Sequence, residues 1–450
     1  MSKLDLILRG GTIVTHEGER VTDIGIADEK IVALKDNLSE AAHKEFDARR
    51  FHIFPGVIDA HLHFNEPGRT EWEGLETGSR ALAAGGGTMF FDMPLNAHPP
   101  TCDVESFELK LAAAKQKSLT DFALWGGLVP ENIEELERLG DCGVIGFKAF
   151  MSNSGIEDFA RADSSTLRKG MKRVANTGLL VAVHAESESL TSKLSEEKIK
   201  RGRTSIRDYL DSRPIEAELE AIRMAIDIAG DVGCALHVVH VSSAEGVALI
   251  TAAKKQGADV SCETCPHYLT LIDRDVEKLG AVAKCAPPIR SDDEREQLWE
   301  RVLAGEVTTV GSDHSPSPPE MKRDANFFKV WGGISGVQHT LPLLLTEGHG
   351  RHHAPLKLIA NVLAENVARR FKIPGKGKIA VGFDADLAVV DLEKKFTVRA
   401  VDLFYRHKQS PYVGRALTGQ VVQTILRGRT VFADGQIVSR EHGRLIKPQR

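Results

Sequence analysis

The chain reads Asp59-Ala60-His61-Leu62-His63 directly after an apolar stretch at residues 51–58, and this segment gives the first indication of the fold. Two histidines that are two positions apart on a β-strand point to the same side of it, so both imidazoles can reach one metal ion. A His-x-His pair alone is a weak signal, because such pairs also arise by chance on exposed strands. Four further polar residues each follow an apolar run of their own, and these are Lys148, His184, His240 and Asp313. Six ligand-type side chains at the ends of five strand-like segments predict a metal site.

The middle of the chain alternates short apolar segments with amphipathic helical stretches. The apolar segments lie at residues 54–58, 88–93, 121–128, 144–150, 179–183, 235–241, 259–262 and 307–310. Helical periodicity separates most of them, for example at residues 216–229 and 292–303. Strands that alternate with helices indicate a parallel sheet, and eight repeats over about 320 residues fit an α/β fold of the (β/α)8 TIM barrel type. A doubly wound sheet is the alternative, but no Gly-x-Gly-x-x-Gly opens a helix after the first strand.

Both ends of the chain have a different pattern, with short strand-like runs broken by Gly and Asp. These runs lie at residues 4–8, 12–14, 23–26, 30–34, 385–390, 421–428 and 430–432. Their spacing predicts a small all-β unit, and because it uses both ends, the termini pair in one domain. We therefore expect residues 1–52 and 377–450 to build this β unit, and residues 53–376 to form the metal-dependent barrel.

The composition is that of a globular protein with a sizeable core, since 42% of the 450 residues are hydrophobic and 27% are charged. A formal net charge of -5 gives no reason to expect nucleic acid or a membrane surface as a partner. No apolar run approaches the ~18 residues that span a bilayer. The first residues carry charges inside what would be the apolar core of a signal peptide, so we expect no secretion.

Six cysteines in a chain of 450 residues do not form a disulfide framework, and they suit a reducing cytoplasm. Cys262 and Cys265 have the CxxC spacing of redox and zinc motifs. No second CxxC follows them, so both are interpreted as buried structural cysteines.

The four histidines supply nitrogen ligands and Asp313 supplies oxygen. This mixture suits Zn²⁺, and also Co²⁺, Mn²⁺, Fe²⁺ or Ni²⁺. His237 precedes His240 by three positions, so on a strand it faces the other way and belongs to the core. Two metals that share a bridging hydroxide would form a hydrolytic centre. Asp313 could then take the proton from the bridging water and deliver it to the leaving nitrogen.

Lys148 lies in the apolar segment 144–150, where an ammonium group is costly to bury without compensation. One interpretation is an ion pair with a carboxylate. The other is that burial lowers its pKa and the free amine captures CO₂ as a carbamate, which could bridge two cations.

Five segments carry these residues, at positions 55–63, 146–151, 184–186, 240–243 and 312–316. With them, the chain resembles the cyclic-amidohydrolase branch of the amidohydrolase superfamily over essentially its whole length. That branch contains dihydroorotases, hydantoinases (dihydropyrimidinases) and allantoinases. The resemblance implies a (β/α)8 barrel with a β-sandwich and a homotetramer. It also implies His61 and His63 on one metal, His184 and His240 on a second, carboxylated Lys148 between the two, and Asp313 as ligand and general base.

Departures from the family patterns narrow the choice among the enzyme classes of this branch. Dihydroorotases carry an arginine at the position of Asn65, and their substrate-contacting loop residues correspond to Ala286 and Ser317. Hydantoinases carry a tyrosine that polarises the scissile carbonyl at the position of Asn153. An amide could donate a weaker hydrogen bond there, or the metals could stabilise the oxyanion alone.

The longer segments are most similar to those of allantoinases, and they lie at residues 66–69, 93–96, 284–290, 312–319, 331–336 and 405–414. This implies hydrolysis of the cyclic amide of allantoin to allantoate, a step of purine degradation. Asn96, Ser317 and Asn153 are the candidates for substrate contact. A hydantoinase acting on other cyclic ureides is the alternative. A non-catalytic relative that serves as an assembly partner is disfavoured, because all six ligands are retained.

Overall fold

The computed structural model describes residues 3–450, whose strands form one mixed sheet and two parallel sheets. The strands are β1 (Leu4–Thr15), β2 (Gly18–Ala27), β3 (Lys30–Lys35), β4 (Ala42–Asp47), β5 (His52–Pro55), β6 (Val57–Leu62), β7 (Gly87–Asp92), β8 (Asp121–Leu124), β9 (Gly126–Gly127), β10 (Phe147–Phe150), β11 (Leu180–His184), β12 (Ala235–Val238), β13 (Val260–Thr264), β14 (Thr309–Val310), β15 (Leu387–Thr397), β16 (Ala416–Leu426), β17 (Arg429–Ala433) and β18 (Gln436–Ile437).

Helices connect most of the strands in the middle of the chain. They are α1 (Leu75–Ala84), α2 (Val104–Lys117), α3 (Leu136–Cys142), α4 (Ser164–Ala175), α5 (Glu188–Lys200), α6 (Ile206–Asp211), α7 (Ile215–Val232), α8 (Ala244–Lys255), α9 (Pro266–Thr270), α10 (Asp273–Leu279), α11 (Asp292–Leu303), α12 (Thr340–Leu343), α13 (Leu356–Ala360) and α14 (Asn366–Arg370). Short 3₁₀ segments lie at Pro130–Glu135, Gly280–Ala283, Pro319–Lys322, Val337–His339 and Ala400–Asp402, and π-helical turns at Leu344–Arg351 and Asn361–Glu365.

The two parallel sheets follow the order of the chain, β6-β7-β8 in one and β9 to β14 in the other. Only Trp125 separates β8 from β9. An isolated parallel bridge joins Leu62, at the end of β6, to His314, beyond β14. Since all these strands run in one direction, their carboxyl ends meet on one side, and the prediction of an α/β fold with parallel strands is confirmed.

The parallel strands are buried on both faces, as sheets covered by helices require. Every residue of β6, β7 and β11 is buried. Along β7, Phe90 packs in the large core shared with the helices, whereas Met89 and Phe91 pack in a separate cluster with Trp125. These strands therefore have no solvent-exposed face, and a polar residue within them is a candidate for a functional site.

The mixed sheet contains nine strands of the described chain and joins its two ends. β5 lies at the centre, pairing with β1 on one side and with β15 on the other. Residues from both ends share one core, for example Ile24, Ile53, Val389 and Ile425. The bounds 1–52, 53–376 and 377–450 stay a prediction.

All six cysteines, which lie within residues 3–450, are free. Cys262 and Cys265 are both buried, as the interpretation as structural residues requires. Among the described helices, none combines the length and apolar character needed to cross a bilayer.

Candidate metal centre

The six ligand-type residues predicted from the sequence all lie in parallel strands or within three residues after them. His61 lies within β6, Lys148 within β10, and His184 is the last residue of β11. His63, His240 and Asp313 come one, two and three residues after β6, β12 and β14. The four histidines and Asp313 line one cavity of about 340 Å³. Segments that are 250 residues apart in the chain are thus brought to one site.

His61, His63 and Asp313 form a compact group. Their ligand atoms all lie within 4.8 Å of one another. Asp313 Oδ1 lies 3.3 Å from His61 Nε2 and 3.5 Å from His63 Nε2. Two imidazole nitrogens and one carboxylate oxygen at such spacing are a donor set that fits a divalent transition metal.

His184 and His240 form a second pair beside the first. His184 Nδ1 lies 3.0 Å from His240 Nε2, and the His240 ring centroid lies 5.4 Å from that of His61. Burial lowers the pKa of His61 and of His240 well below the usual value. Both are therefore neutral near pH 7, which is the form of imidazole that binds metals.

Lys148 lies within β10 and is fully buried. Its Nζ has no hydrogen-bond partner within residues 3–450. Burial lowers the pKa of Lys148 to about 8, although Asp313 and Glu263 act in the opposite direction. The ion pair considered as one interpretation is therefore not formed, and a free amine is accessible near neutral pH.

Asp313 is held as a carboxylate. Burial opposes its ionisation, but a hydrogen bond from His63 helps to keep the pKa of Asp313 below its usual value. Its backbone φ of 43° and that of His240, 40°, lie in the left-handed region that non-glycine residues rarely adopt. Such conformations cost about 1–3 kcal/mol each, and they cluster at functional sites.

Buried carboxylates orient two of the histidines from behind. Glu263 lies on β13 and accepts a hydrogen bond from His61 Nδ1 at 2.7 Å. Glu186 bonds His184 Nε2 at 2.8 Å and also pairs with Arg213. The sequence analysis assigned neither role. Glu263 could have been noticed, because it is an ionisable residue inside a buried strand, as Lys148 is.

The three candidates for substrate contact differ in position. Asn96 and Asn153 line the cavity, whereas Ser317 does not, and Ser315 lines it instead. Asn96 Nδ2 donates to Ser315 Oγ at 3.4 Å. Asn153 Oδ1 accepts from Gly155 N at 2.9 Å, so its amide nitrogen is the part of the side chain left for a ligand.

One wall of the cavity is a stretch of irregular backbone. Six consecutive residues, 328–333, line it, and none of them lies in a helix or strand. The Trp331 ring packs edge-on against that of Trp72, with centroids 4.9 Å apart. Phe328 packs on Tyr209, which also lines the cavity.

Comparison with known proteins gives a family and close relatives. The model of the amidohydrolase family matches residues 52–431. A relative named allantoinase from Rubrobacter xylanophilus is 56% identical over 450 residues, which is 100% of this chain and 99% of that protein. Another of that name from Deinococcus radiodurans is 51% identical, with 99% of each chain covered.

Solved structures are similar over the whole chain as well. The L-hydantoinase (dihydropyrimidinase) from Arthrobacter aurescens has a TM-score of 0.96 at 34% identity, covering 99% of this chain and 100% of its own. A dihydropyrimidinase from Brevibacillus agri NCHU1002 has a TM-score of 0.92 at 30% identity, with 98% of each chain covered.

Proposed function

The chain belongs to the amidohydrolase family, and from this premise we propose that it opens the cyclic amide of allantoin by hydrolysis to give allantoate. The observation that carries the chemistry is the convergence of four histidines and Asp313 on one cavity, beside a buried free amine. The choice of substrate rests on the relatives named allantoinase, which are up to 56% identical over the full chain.

The residues fit a pair of divalent cations. His61 and His63 would hold one, His184 and His240 the second, with carboxylated Lys148 between them and Asp313 on the first. Zinc matches the donor set, and cobalt, manganese, iron or nickel match it too. Bound cations would supply Lewis acidity, which activates water and polarises an amide carbonyl. The orphan amine of Lys148 supports the carbamate, because it needs a partner and its lowered pKa exposes the nucleophilic form.

Asp313 is the proposed general base. Its carboxylate is ionised at neutral pH and lies against His61 and His63, so it can accept a proton from water at this point. Returning that proton to the ring nitrogen would let the amide leave as a neutral group. Glu263 and Glu186 hold the histidine rings and keep the ligand atoms directed at the cavity.

Substrate contact is proposed for Asn96 and Asn153 through their side chains. Both line the cavity, and the Asn153 Nδ2 group would be the donor at the position of the hydantoinase tyrosine. Ser317 is kept as a weaker candidate, acting through the turn that follows Asp313, since its own side chain is buried away from the cavity.

A closed (β/α)8 barrel with a β-sandwich is the architecture we propose. The parallel strands follow chain order without reversal, and β8 and β9 are nearly continuous. His63 N donates to His314 O at 2.8 Å, which links the outermost strands. The nine-stranded sheet around a shared core supports the sandwich. A homotetramer and a cytoplasmic location also stay proposals, the latter supported by six free thiols.

The test is a side-by-side hydrolysis assay on allantoin, dihydroorotate, hydantoin and dihydrouracil. The protein is supplied with Zn²⁺, Co²⁺ or Mn²⁺ and with bicarbonate. We expect a clear preference for allantoin. Activity led by hydantoin or dihydrouracil would assign the chain to the hydantoinases, the alternative that the solved structures favour. Protein purified without metal and inactive on all four would favour the non-catalytic alternative.

A further inference from the structure

The irregular segment 327–333, whose residues 328–333 form one wall of the cavity, does not satisfy its own backbone hydrogen-bonding groups. It has no helical or sheet ladder, so its carbonyl oxygens need donors from elsewhere. Two lysines from different parts of the chain supply them. Lys284 and Lys322 both precede this segment in sequence, Lys284 by more than forty positions and Lys322 by five, and both direct their amines at its carbonyls.

Lys284 anchors the first half of the wall. Its Nζ donates to Phe327 O at 2.6 Å, to Phe328 O at 3.4 Å, and also to Val330 O. The amine lies 4.4 Å from the centre of the Tyr209 ring. The backbones of the two segments are also joined, because Gly333 N donates to Lys284 O at 2.7 Å.

Lys322 anchors the second half. Its Nζ donates to Trp331 O at 2.9 Å and to Gly333 O at 2.7 Å. The two lysines together thus bind five of the seven carbonyls between residues 327 and 333. Trp331 N donates to Met321 O at 3.0 Å, which ties the same turn back to the segment that carries Lys322.

The charges around these amines distinguish them from ordinary buried lysines. Lys284 faces Arg213, Lys322 and the Tyr209 ring, and Lys322 faces the Cys285 thiol. Within the described chain neither has a carboxylate partner, and burial lowers the pKa of each to about 7. Burying an unpaired cation is costly, so an apolar side chain would be favoured here unless the carbonyl contacts were needed.

We infer that Lys284 and Lys322 are positioning residues, which hold the 327–333 wall at the distance from the metal-ligand histidines that the substrate ring occupies. They act on binding rather than on turnover, because their amines contact the carbonyls of the wall and none of the metal-ligand side chains. Lys284 also lines the cavity itself, whereas Lys322 does not, so Lys322 gives the sharper test of positioning. The inference rests on the proposed function for the identity of the substrate, but not for the rigidity of the wall.

Hydrogen exchange of the metal-loaded protein without substrate tests the rigidity. We compare Lys284→Met and Lys322→Met with the parent, and use Lys357→Met, an exposed lysine on α13, as the matched control. Amides of residues 327–333 should exchange at least ~10-fold faster in both variants, and those of α11 should not change. Unchanged exchange in the wall would overturn the inference. If Lys284→Met does not fold, Lys322→Met alone gives the comparison.

Steady-state kinetics on the best cyclic amide substrate test the role in binding. KM should rise about 10-fold or more in both variants while kcat stays within about 3-fold, and Lys322→Arg should restore part of the loss. A fall in kcat at unchanged KM would overturn the positioning role. If allantoin is not hydrolysed but the wall exchanges faster, the substrate proposal fails and the wall assignment stands. If both variants hydrolyse allantoin with the parent KM, the substrate proposal stands and the positioning role of the lysines fails.

Discussion

Glu263 shows at the scale of one residue what a buried carboxylate does beside a metal site. Its hydrogen bond to His61 Nδ1 fixes the ring and leaves Nε2 directed at Asp313. Glu263→Gln replaces the carboxylate that accepts from His61 by a weaker amide acceptor, so we expect metal affinity to fall by about 10–100-fold. Competition with a chromogenic zinc chelator measures it. Glu245→Gln, at an exposed position on α8, is the control, and equal affinities for the two variants would contradict the role.

Asp313 is the residue on which the proposed chemistry depends. Asp313→Asn keeps the shape of the side chain but cannot accept a proton at neutral pH. We expect kcat to fall by about 10²–10⁴-fold, the range of general acid–base catalysis. The variant must be folded and metal-loaded, as shown by circular dichroism and metal content. Appreciable remaining activity in such a variant would remove Asp313 as the base.

The sequence predicts six ligand-type residues, because each is a polar residue placed after an apolar run. The structure brings the four histidines and Asp313 to one cavity, and their role as metal ligands stays a prediction, as does that of Lys148. The sequence did not allow the prediction of Glu263, since its partner His61 lies 202 positions away and no local pattern links them. The lining residue Ser315 was also missed in favour of Ser317. Asp313, two residues before Ser315, has a left-handed backbone, and residue types do not reveal which serine of this irregular segment faces the cavity.

At the scale of elements, strand existence was predictable and strand continuity was not. Residues 4–8 and 12–14 were predicted as two strands separated by Gly10 and Gly11, but they form one strand, β1. The register against β2 shifts between Leu8 and Gly11, where Gly10 has a φ of 65°. A glycine in a strand pattern therefore marks a bulge here and not a turn. Helix periodicity was more reliable, since α11 has the expected bounds 292–303.

Two helix caps differ in what they hold. Ser291 caps α11 at the surface, whereas Ser243 caps α8 just after His240 and also donates to buried Glu218 at 2.6 Å. Ser291→Ala should lower the free energy of unfolding by about 1 kcal/mol. Ser243→Ala removes the cap and also the hydrogen bond that Ser243 donates to Glu218. We therefore expect the free energy of unfolding to fall by about 1–3 kcal/mol more than in Ser291→Ala. Urea denaturation compares them, and equal losses would show that the Glu218 contact contributes nothing.

At the scale of the whole molecule, the alternation of strand and helix predicted the parallel sheets, but not what joins them to the sheet built from the chain ends. That joint contains a charge cluster: Lys376 Nζ lies 2.8 Å from Asp121, 3.0 Å from Asp384 and 2.6 Å from Asp386. Asp121 begins β8, whereas Asp386 immediately precedes β15. Lys376 lies 255 positions after Asp121, and Asp386 lies 265 positions after it. No local sequence pattern therefore reveals the cluster.

Lys376→Met should be strongly destabilising, because it removes the cation that three carboxylates share. Arg427 still pairs with Asp121 and Lys30 with Asp384, but buried Asp386 loses its only ion pair among the described residues. We expect the free energy of unfolding to fall by about 3–5 kcal/mol, the usual effect of removing one partner from a buried ion pair. Lys30→Met is the matched control, since Lys30 contacts the same Asp384 at 2.8 Å but is about half exposed, and about 1 kcal/mol or less is expected there. Chemical denaturation at pH 8 measures both.

The pH dependence of the Lys376→Met defect separates charge from packing. In the parent, burial opposes ionisation, yet Lys376 holds the pKa of Asp384 below its usual value; the pKa of Asp386 is raised by burial despite Lys376. Without the lysine, the pKa values of Asp384 and Asp386 both rise in the folded state, so the folded variant binds more protons than the folded parent as the pH falls. The stability of the variant relative to the parent must then increase as the pH falls. The deficit relative to the parent should therefore be smaller at pH 5.5 than at pH 8, whereas a deficit that is constant over this window would assign the loss to the packing of the lysine stem.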